Sequence, residues 1–186
     1  LALAADASIP VHSVDSDSAV RINTTLTEPD GRTTKLNGPG PTLDASVQQA
    51  VADALTEHCA RAEWIVMAGS LPKGVPVDWY TQLIGVARAA NPEIRVAVDT
   101  SDAPMVALGD NLEIASPDLI KPNGLELGQL AGVDGQTLEA AAENGDFSGV
   151  VDAARVVVKR GIPEVLVTLG GAGAVLVTAN EAWAAT

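Results

Sequence analysis

The sequence has 186 residues, and its 24 Asp and Glu against 11 Lys and Arg give a formal net charge of −13. This length suits one domain, or one domain with a small appendage, and 47% hydrophobic with 19% charged residues is a globular composition. The acidity argues against nucleic-acid binding, which needs clustered Lys and Arg. No apolar run reaches the roughly 18–20 residues of a membrane span. The single cysteine, Cys59, excludes an intramolecular disulfide and favours a buried thiol in a reducing compartment, the cytoplasm.

The first forty residues predict a β-hairpin. Residues 19–27 alternate small or apolar with polar side chains, residues 28–31 (Glu-Pro-Asp-Gly) have turn chemistry, and residues 32–36 resume an extended pattern. Residues 37–41 then form a connector rich in Gly and Pro. Because an isolated hairpin is at best marginally stable, we interpret this one as a lid or an oligomerisation arm.

The rest of the chain alternates helical and extended segments. An apolar stripe predicts a helix over residues 43–60 with Thr42 as its N-cap, and residues 77–90 and 150–160 have the same pattern. Short apolar runs predict strands at residues 64–68, 94–98, 165–169 and 174–178. This alternation predicts βαβ units and a parallel sheet, an α/β fold.

Residues 69–74 (Gly-Ser-Leu-Pro-Lys-Gly) follow the first of these strands. They are not a P-loop, because Val75 and Pro76 stand where that motif has Lys and Ser or Thr, nor a nucleophile elbow, whose flanking glycines are missing. Ligands bind at the carboxyl ends of strands in α/β sheets, so Gly69 and Ser70 are candidates for an anion cradle. A simple tight turn is the alternative.

Residues 121–127 (Lys-Pro-Asn-Gly-Leu-Glu-Leu) predict a helix start. Asn123 and Glu126 have the spacing of a capping pair, which by itself explains both residues. The functional alternative places Lys121, Asn123 and Glu126 around a helix N-terminus that holds an anion and hydrated Mg²⁺.

Two further segments carry open alternatives. Residues 168–173 (Thr-Leu-Gly-Gly-Ala-Gly) precede a strand, whereas a Rossmann fingerprint opens a helix, so a hairpin turn is favoured over a nucleotide-contacting loop. Asp99 ends a buried strand and is interpreted either as a helix cap or as a metal ligand.

Taken in order, these segments resemble the PfkB branch of the ribokinase-like sugar kinases. The resemblance is carried by residues 21–23 (Arg-Ile-Asn), 69–72 (Gly-Ser-Leu-Pro), 98–101 (Val-Asp-Thr-Ser), 121–126 and 168–173. It implies a three-layer α/β/α fold with a mostly parallel sheet and a small β lid. The core would comprise residues 1–10 and 42–186, and the lid with its connector residues 11–41.

The resemblance also implies roles for individual residues. Sugar-phosphate binding falls to Arg21, Asn23, Gly69 and Ser70. The ATP phosphates would lie beside Lys121 and Asn123, and the nucleotide along Thr168, Leu169, Gly170, Gly171, Ala172 and Gly173. Glu126, with Asp99 as a weaker candidate, would organise Mg²⁺.

The activity implied is ATP-dependent phosphorylation of a ketohexose phosphate, fructose 1-phosphate becoming fructose 1,6-bisphosphate in a homodimer that pairs through its lids. Tagatose 6-phosphate and fructose 6-phosphate are the alternative acceptors. Family members also carry a Gly-Ala-Gly-Asp segment with the general base, which we expect beyond Thr186, so these 186 residues alone are expected to be inactive. A noncatalytic binding or dimerisation module is the alternative of another class.

Overall fold

The computed structural model describes residues 7–16 and 19–186. It divides into two compact units, one of Leu1–Ala54 with Pro72–Val75 and one of Leu55–Leu71 with Pro76–Thr186. Residues 1–6 and 17–18, which fall within the predicted core and lid segments, lie outside the described residues. The predicted domain boundaries stay a prediction.

The first unit contains the predicted hairpin, formed by strands β1 (Asn23–Thr27) and β2 (Thr33–Asn37). The turn closes as the chemistry of Pro-Asp-Gly predicts: Gly31 has a φ of +87°, and its N–H donates to Glu28 O over 2.9 Å. The Arg32 guanidinium donates to both Asp30 and Glu28. The register places Leu26 and Leu36 on one face of the hairpin and polar side chains on the other.

Helix α1 (Ala45–Cys59) begins in the first unit, and its last turn, from Leu55, belongs to the second. The predicted N-cap, Thr42, is wrong. Asp44 directly precedes the helix, and its carboxylate accepts hydrogen bonds from Val47 N at 2.9 Å and Ser46 Oγ at 2.7 Å. Thr42 instead forms a parallel bridge with Lys73. An Asx cap satisfies a helix N–H that Thr42, two residues farther out, is badly placed to reach.

The second unit is built on a six-stranded sheet of order β3-β4-β5-β6-β7-β8. Strands β3 to β6 pair in parallel, β7 pairs antiparallel with β6, and β8 pairs antiparallel with β7, so only β7 runs against the others. The strands are β3 (Trp64–Ala68), β4 (Arg95–Asp99), β5 (Leu119–Ile120), β6 (Glu164–Thr168), β7 (Ala174–Val177) and β8 (Ala182–Ala185). The predicted α/β fold with a mostly parallel sheet is confirmed, and β8 is an addition to the predicted strands.

Helices connect these strands: α2 (Trp79–Ala90), α3 (Asp102–Asp110), α4 (Gly124–Ala131), α5 (Gly135–Glu143) and α6 (Ser148–Lys159). Helix α6 packs on β6 and β7, and α4 packs on α5 and α6. Near the end of this layer, the Arg160 guanidinium donates to Gly109 O, in α3, and to Leu130 O, in α4, each over 2.8 Å. One side chain thus satisfies carbonyls near the C-termini of two helices.

The two faces of the sheet differ in burial. On the face that Val98 shares, the residues of the central strands are buried; they are Val96, Ile120, Val165, Val167, Val175 and Val177. The opposite face includes Val66, which is 68% exposed, Trp64 at 40% and Trp183 at 49%. The Arg95 guanidinium lies 4.0 Å above the Trp64 ring on that face. Among the described residues, no helix is long and apolar enough to cross a membrane.

Cys59 ends α1 and is completely buried, so the predicted buried thiol is confirmed. Burial raises the pKa of the Cys59 thiol, because desolvation disfavours the thiolate. Its backbone carbonyl accepts a hydrogen bond from Asn91 Nδ2, which also donates to Ala62 O. The thiol is therefore a structural, unreactive group.

Candidate functional site

The four parallel strands end at the same edge of the sheet, and most of the residues singled out in the second unit follow them there. Gly69 and Ser70 follow β3, Asp99 ends β4, Lys121 and Asn123 follow β5, and Thr168 ends β6. A pocket of about 150 Å³ opens at this edge. Its lining comprises Gly69, Ser70, Asp99, Thr100, Ser101 and Glu126.

The β3 turn is held by its backbone. Gly69 has a φ of +111°, a conformation that disfavours side chains, and its N–H donates to Asp99 O over 2.9 Å. Its carbonyl accepts hydrogen bonds from the Tyr80 hydroxyl at 2.7 Å and from Thr100 Oγ1 at 3.1 Å. Ser70 follows directly and lines the pocket. The turn is thus tied to both β4 and α2 at the place where a ligand would sit.

The helix start at Asn123 is a complete capping box. Asn123 Oδ1 accepts from Glu126 N, and Glu126 Oε2 accepts from Asn123 N, each over 2.8 Å. The predicted capping pair is therefore confirmed. Glu126 also lines the pocket, so its capping role is compatible with the alternative role in binding a ligand. A carboxylate has about four lone-pair sites, and one hydrogen bond from Asn123 N uses only part of them.

Lys121 and Asp99 form an ion pair across neighbouring strand ends, with 3.2 Å between Lys121 Nζ and Asp99 Oδ1. Both side chains remain more than a third exposed, so the pair is worth little to stability. Its main effect is positional. It places one cation and one carboxylate next to the pocket.

The predicted loop at residues 168–173 is a strand connection with a single 3₁₀ turn at Gly170–Ala172. The hairpin interpretation is thus confirmed, because β7 pairs antiparallel with β6. Thr168 N donates to Pro122 O over 2.9 Å, which brings the start of this loop beside Asn123. A Cβ on Gly173 would collide with the Ala185 carbonyl, so only glycine fits there.

Two carboxylates, Asp99 and Glu126, line the same pocket. The described part of the chain contains no cluster of three or more His, Cys, Asp or Glu side chains that could hold a metal ion. Mg²⁺ fits this donor set, because it keeps several waters and takes its remaining ligands from one or two carboxylates and from substrate phosphates. A structural zinc site does not fit it.

Arg21 and Asn23 belong to the first unit, where Asn23 begins β1 and pairs with Asn37. Both are exposed, and their predicted contact with a sugar phosphate stays a prediction. Tyr80 and Thr100 contact Gly69 O, and neither was predicted as a site residue, although Thr100 lies in the Val-Asp-Thr-Ser segment. The available signal was that Tyr80 is the sole tyrosine of the chain and that Thr100 follows Asp99 directly.

Near the pocket, Asp102 has a φ of +57°, a left-handed conformation that is uncommon for a residue other than glycine. Its Oδ2 accepts a hydrogen bond from Ser101 Oγ at 3.1 Å. Strained backbone of this kind tends to occur where ligands bind, and here it adjoins a lining residue.

Sequence comparison finds relatives of this chain among bacterial 1-phosphofructokinases. The 1-phosphofructokinase of Rhodobacter capsulatus is 38% identical over 166 residues, which are 88% of this chain and 48% of that protein. The Escherichia coli K12 1-phosphofructokinase is 32% identical over 89% of this chain and 48% of its own length. The chain therefore spans about half the length of the curated relatives that it matches.

Among solved structures, the phosphofructokinase-2 from Escherichia coli in complex with fructose-6-phosphate superposes with a TM-score of 0.80. It is 28% identical, and the match covers all of this chain and 57% of that one. The profile of the pfkB family carbohydrate kinases matches residues 1–186. The family match covers the whole chain, and it agrees with a mostly parallel sheet that has a polar pocket at its strand ends. This chain therefore belongs to the pfkB family of carbohydrate kinases.

Proposed function

We propose that the protein is an ATP-dependent sugar-phosphate kinase that converts fructose 1-phosphate to fructose 1,6-bisphosphate. The observation that carries the proposal is the 38% identity to the 1-phosphofructokinase of Rhodobacter capsulatus over 88% of the chain. Fructose 6-phosphate is the second candidate acceptor, favoured by the likeness to a phosphofructokinase-2 in complex with that sugar. Tagatose 6-phosphate is a third acceptor for the assay to distinguish.

Each site residue has a part in this proposal. Ser70 and the glycine backbone at Gly69 hold the phosphate of the sugar, with Arg21 and Asn23 of the hairpin on the same ligand. Lys121 and Asn123 lie beside the ATP phosphates, and residues 168–173 along the nucleotide. Glu126, with Asp99, holds Mg²⁺, which when bound to ATP neutralises phosphate charge during transfer. The pocket and the Lys121–Asp99 pair support these roles.

The chemistry asked of these residues is positioning and charge stabilisation, which dominate phosphoryl transfer. Lys121 supplies a positive charge beside Asp99, which lines the pocket, and the backbone at Gly69 allows close approach of an anion. None of the lining residues is assigned as the general base.

We propose a homodimer that pairs through the hairpin. Its apolar face carries Leu26 and Leu36, which are 53% and 55% exposed, and Ile22, at 71%, shares their alternation. A related phosphofructokinase-2 from Escherichia coli is described as tetrameric in its inhibited form, so self-association occurs among relatives.

A cytoplasmic location is supported by the one buried, free thiol.

The test is ADP release by the natural protein with Mg-ATP and each of the three phosphosugars. We expect fructose 1-phosphate to give the highest kcat/KM. A preference for fructose 6-phosphate or tagatose 6-phosphate would overturn the substrate but keep the reaction. No ADP above background with any of them would leave a binding module as the better proposal.

Arg21 is tested in the same assay. Loss of one charge-assisted phosphate contact costs about 1.5–3 kcal/mol, so Arg21→Ala should raise the KM for the phosphosugar roughly 10- to 100-fold. Arg32→Ala is the matched control, because Arg32 is an exposed arginine of the same hairpin whose guanidinium already pairs with Glu28 and Asp30. Equal KM values for the two variants would show that Arg21 does not bind the phosphosugar.

A further inference from the structure

The Gly69 carbonyl has an unusual environment for a turn at the end of a strand. It accepts two side-chain hydrogen bonds, from the Tyr80 hydroxyl at 2.7 Å and from Thr100 Oγ1 at 3.1 Å. Both donors are buried, Tyr80 being 6% and Thr100 4% exposed. They come from different elements, since Tyr80 lies in α2 and Thr100 follows β4. The carbonyl is therefore fixed in direction from two sides.

A fixed carbonyl also fixes the next N–H. The Gly69 carbonyl and the Ser70 N–H belong to one planar, trans peptide unit, in which the two groups point in opposite directions. When Gly69 O points to Tyr80 and Thr100, the Ser70 N–H points away from them. Gly69 tolerates large backbone rotations, so without these donors the peptide unit is free to flip.

We propose that Tyr80 and Thr100 are positioning residues that hold the Gly69–Ser70 peptide unit so that Ser70 presents its N–H and hydroxyl to the phosphate of the sugar. The proposal rests on the proposed function, because it assigns the anion at Ser70 to the phosphosugar. Neither residue needs to touch the substrate. Their effect passes through one carbonyl oxygen, so it should appear in substrate affinity and leave ATP affinity unchanged.

Burial raises the pKa of the Tyr80 hydroxyl more than a hydrogen bond with Thr100 lowers it, and the nearby Asp99 carboxylate raises it further. The hydroxyl thus stays protonated and remains a donor across the working pH range. This agrees with the geometry, in which the phenol donates and the carbonyl accepts. A phenolate would lose the hydrogen bond, and Phe in place of Tyr80 has the same consequence at nearly constant shape.

The experiment compares Tyr80→Phe, Thr100→Val and their double variant with the unmodified protein. Each single variant should raise the KM for fructose 1-phosphate about 3- to 10-fold, and the double variant more, with the KM for ATP unchanged. Thr100→Ser restores the donor and should restore the KM. Calorimetric titration with fructose 1-phosphate supplies the same comparison without turnover, and thermal unfolding shows that each variant is folded.

Thr81→Val is the matched control. Thr81 is adjacent to Tyr80 and 4% exposed, and its Oγ1 has no hydrogen-bond partner among the described residues. Removing this hydroxyl should leave the phosphosugar KM unchanged. Unchanged KM and affinity in both Tyr80→Phe and Thr100→Val, in a protein that does bind fructose 1-phosphate, would overturn the positioning role alone. A protein that binds none of the phosphosugars would overturn the proposed function and this inference together.

Discussion

Glu126 shows how one side chain can serve both the fold and a site. One of its oxygens closes the capping box on Asn123 N, and the same residue lines the pocket beside Asp99. The two interpretations left open by the sequence therefore do not exclude one another. The capping role and the binding role of Glu126 can be distinguished only by a substitution that removes the charge and keeps the hydrogen bond.

Glu126→Gln makes that separation, because an amide oxygen still accepts from Asn123 N. We expect the free energy of unfolding to change by less than about 0.5 kcal/mol, while affinity for Mg-ATP falls about 10- to 100-fold. Denaturant unfolding and calorimetric titration measure the two effects.

Asp134→Asn is the control, since Asp134 caps the next helix, α5, by accepting from Gln136 N. It should change neither quantity by much. A Glu126→Gln protein that loses about 1 kcal/mol of stability with unaltered Mg-ATP affinity would reduce Glu126 to a helix cap.

The sequence predicted contacts between neighbouring residues but not contacts between residues far apart in the chain, and the reason is physical. Asn123 and Glu126 act within one turn of helix, so their spacing predicts their contact. Tyr80 and Thr100 reach Gly69 from 11 and 31 positions away. Such pairings depend on how α2 and β4 pack beside β3, which local patterns do not encode.

Among the elements, the sheet has two faces of different character. Val98 in β4 is 1% exposed, whereas Val66 in the adjacent strand β3 is 68% exposed. The continuous apolar runs predicted these strands well, because strands of parallel sheets are apolar on both sides. They did not predict which face would be closely packed, since both faces have similar residues.

Val98→Ala and Val66→Ala make the same chemical change on opposite faces of neighbouring strands. Val98→Ala removes two buried methyl groups and leaves a cavity, so it should lower the free energy of unfolding by roughly 2–3 kcal/mol. Val66→Ala should lower it by less than about 1 kcal/mol. Urea unfolding measures both, and equal losses would show that the Val66 face is as closely packed as the other.

The helix boundaries were predicted to within about two residues, and the error at α1 has a simple cause. Thr42 is an acceptable cap by residue type, but Asp44 lies at the position from which a carboxylate reaches Val47 N. These bonds also hold the pKa of the Asp44 carboxyl below its usual range, with the Ser46 hydroxyl as the largest contribution. The cap therefore stabilises α1 fully at pH values above the ordinary Asp pKa. This stabilisation is lost as the pH falls through the lowered pKa of Asp44.

At the scale of the whole molecule, the proposed assembly depends on the first unit. The hairpin buries little of its own apolar surface, because every residue of β1 and β2 is exposed. A two-stranded sheet of this kind is marginal in water unless something packs on it. A second copy of the chain is the partner that the proposal assigns.

Leu26→Lys places a charge on the apolar face of the hairpin, and Thr25→Lys places the same charge on its polar face, one residue away. Sedimentation velocity should show a dimer for the unmodified protein and for Thr25→Lys, and a monomer for Leu26→Lys. Dimers of all three would move the interface elsewhere, and monomers of all three would contradict the assembly.

Arg160 has a consequence for how the second unit opens. Its guanidinium donates to carbonyls of both α3 and α4, so fraying of either helix end leaves one Arg160 N–H without its acceptor. The two helices are 13 residues apart in sequence, from Asp110 to Gly124, yet they share this one cation. In amide hydrogen exchange, their last turns should then open as a single cooperative unit, with a common opening free energy instead of two independent ones.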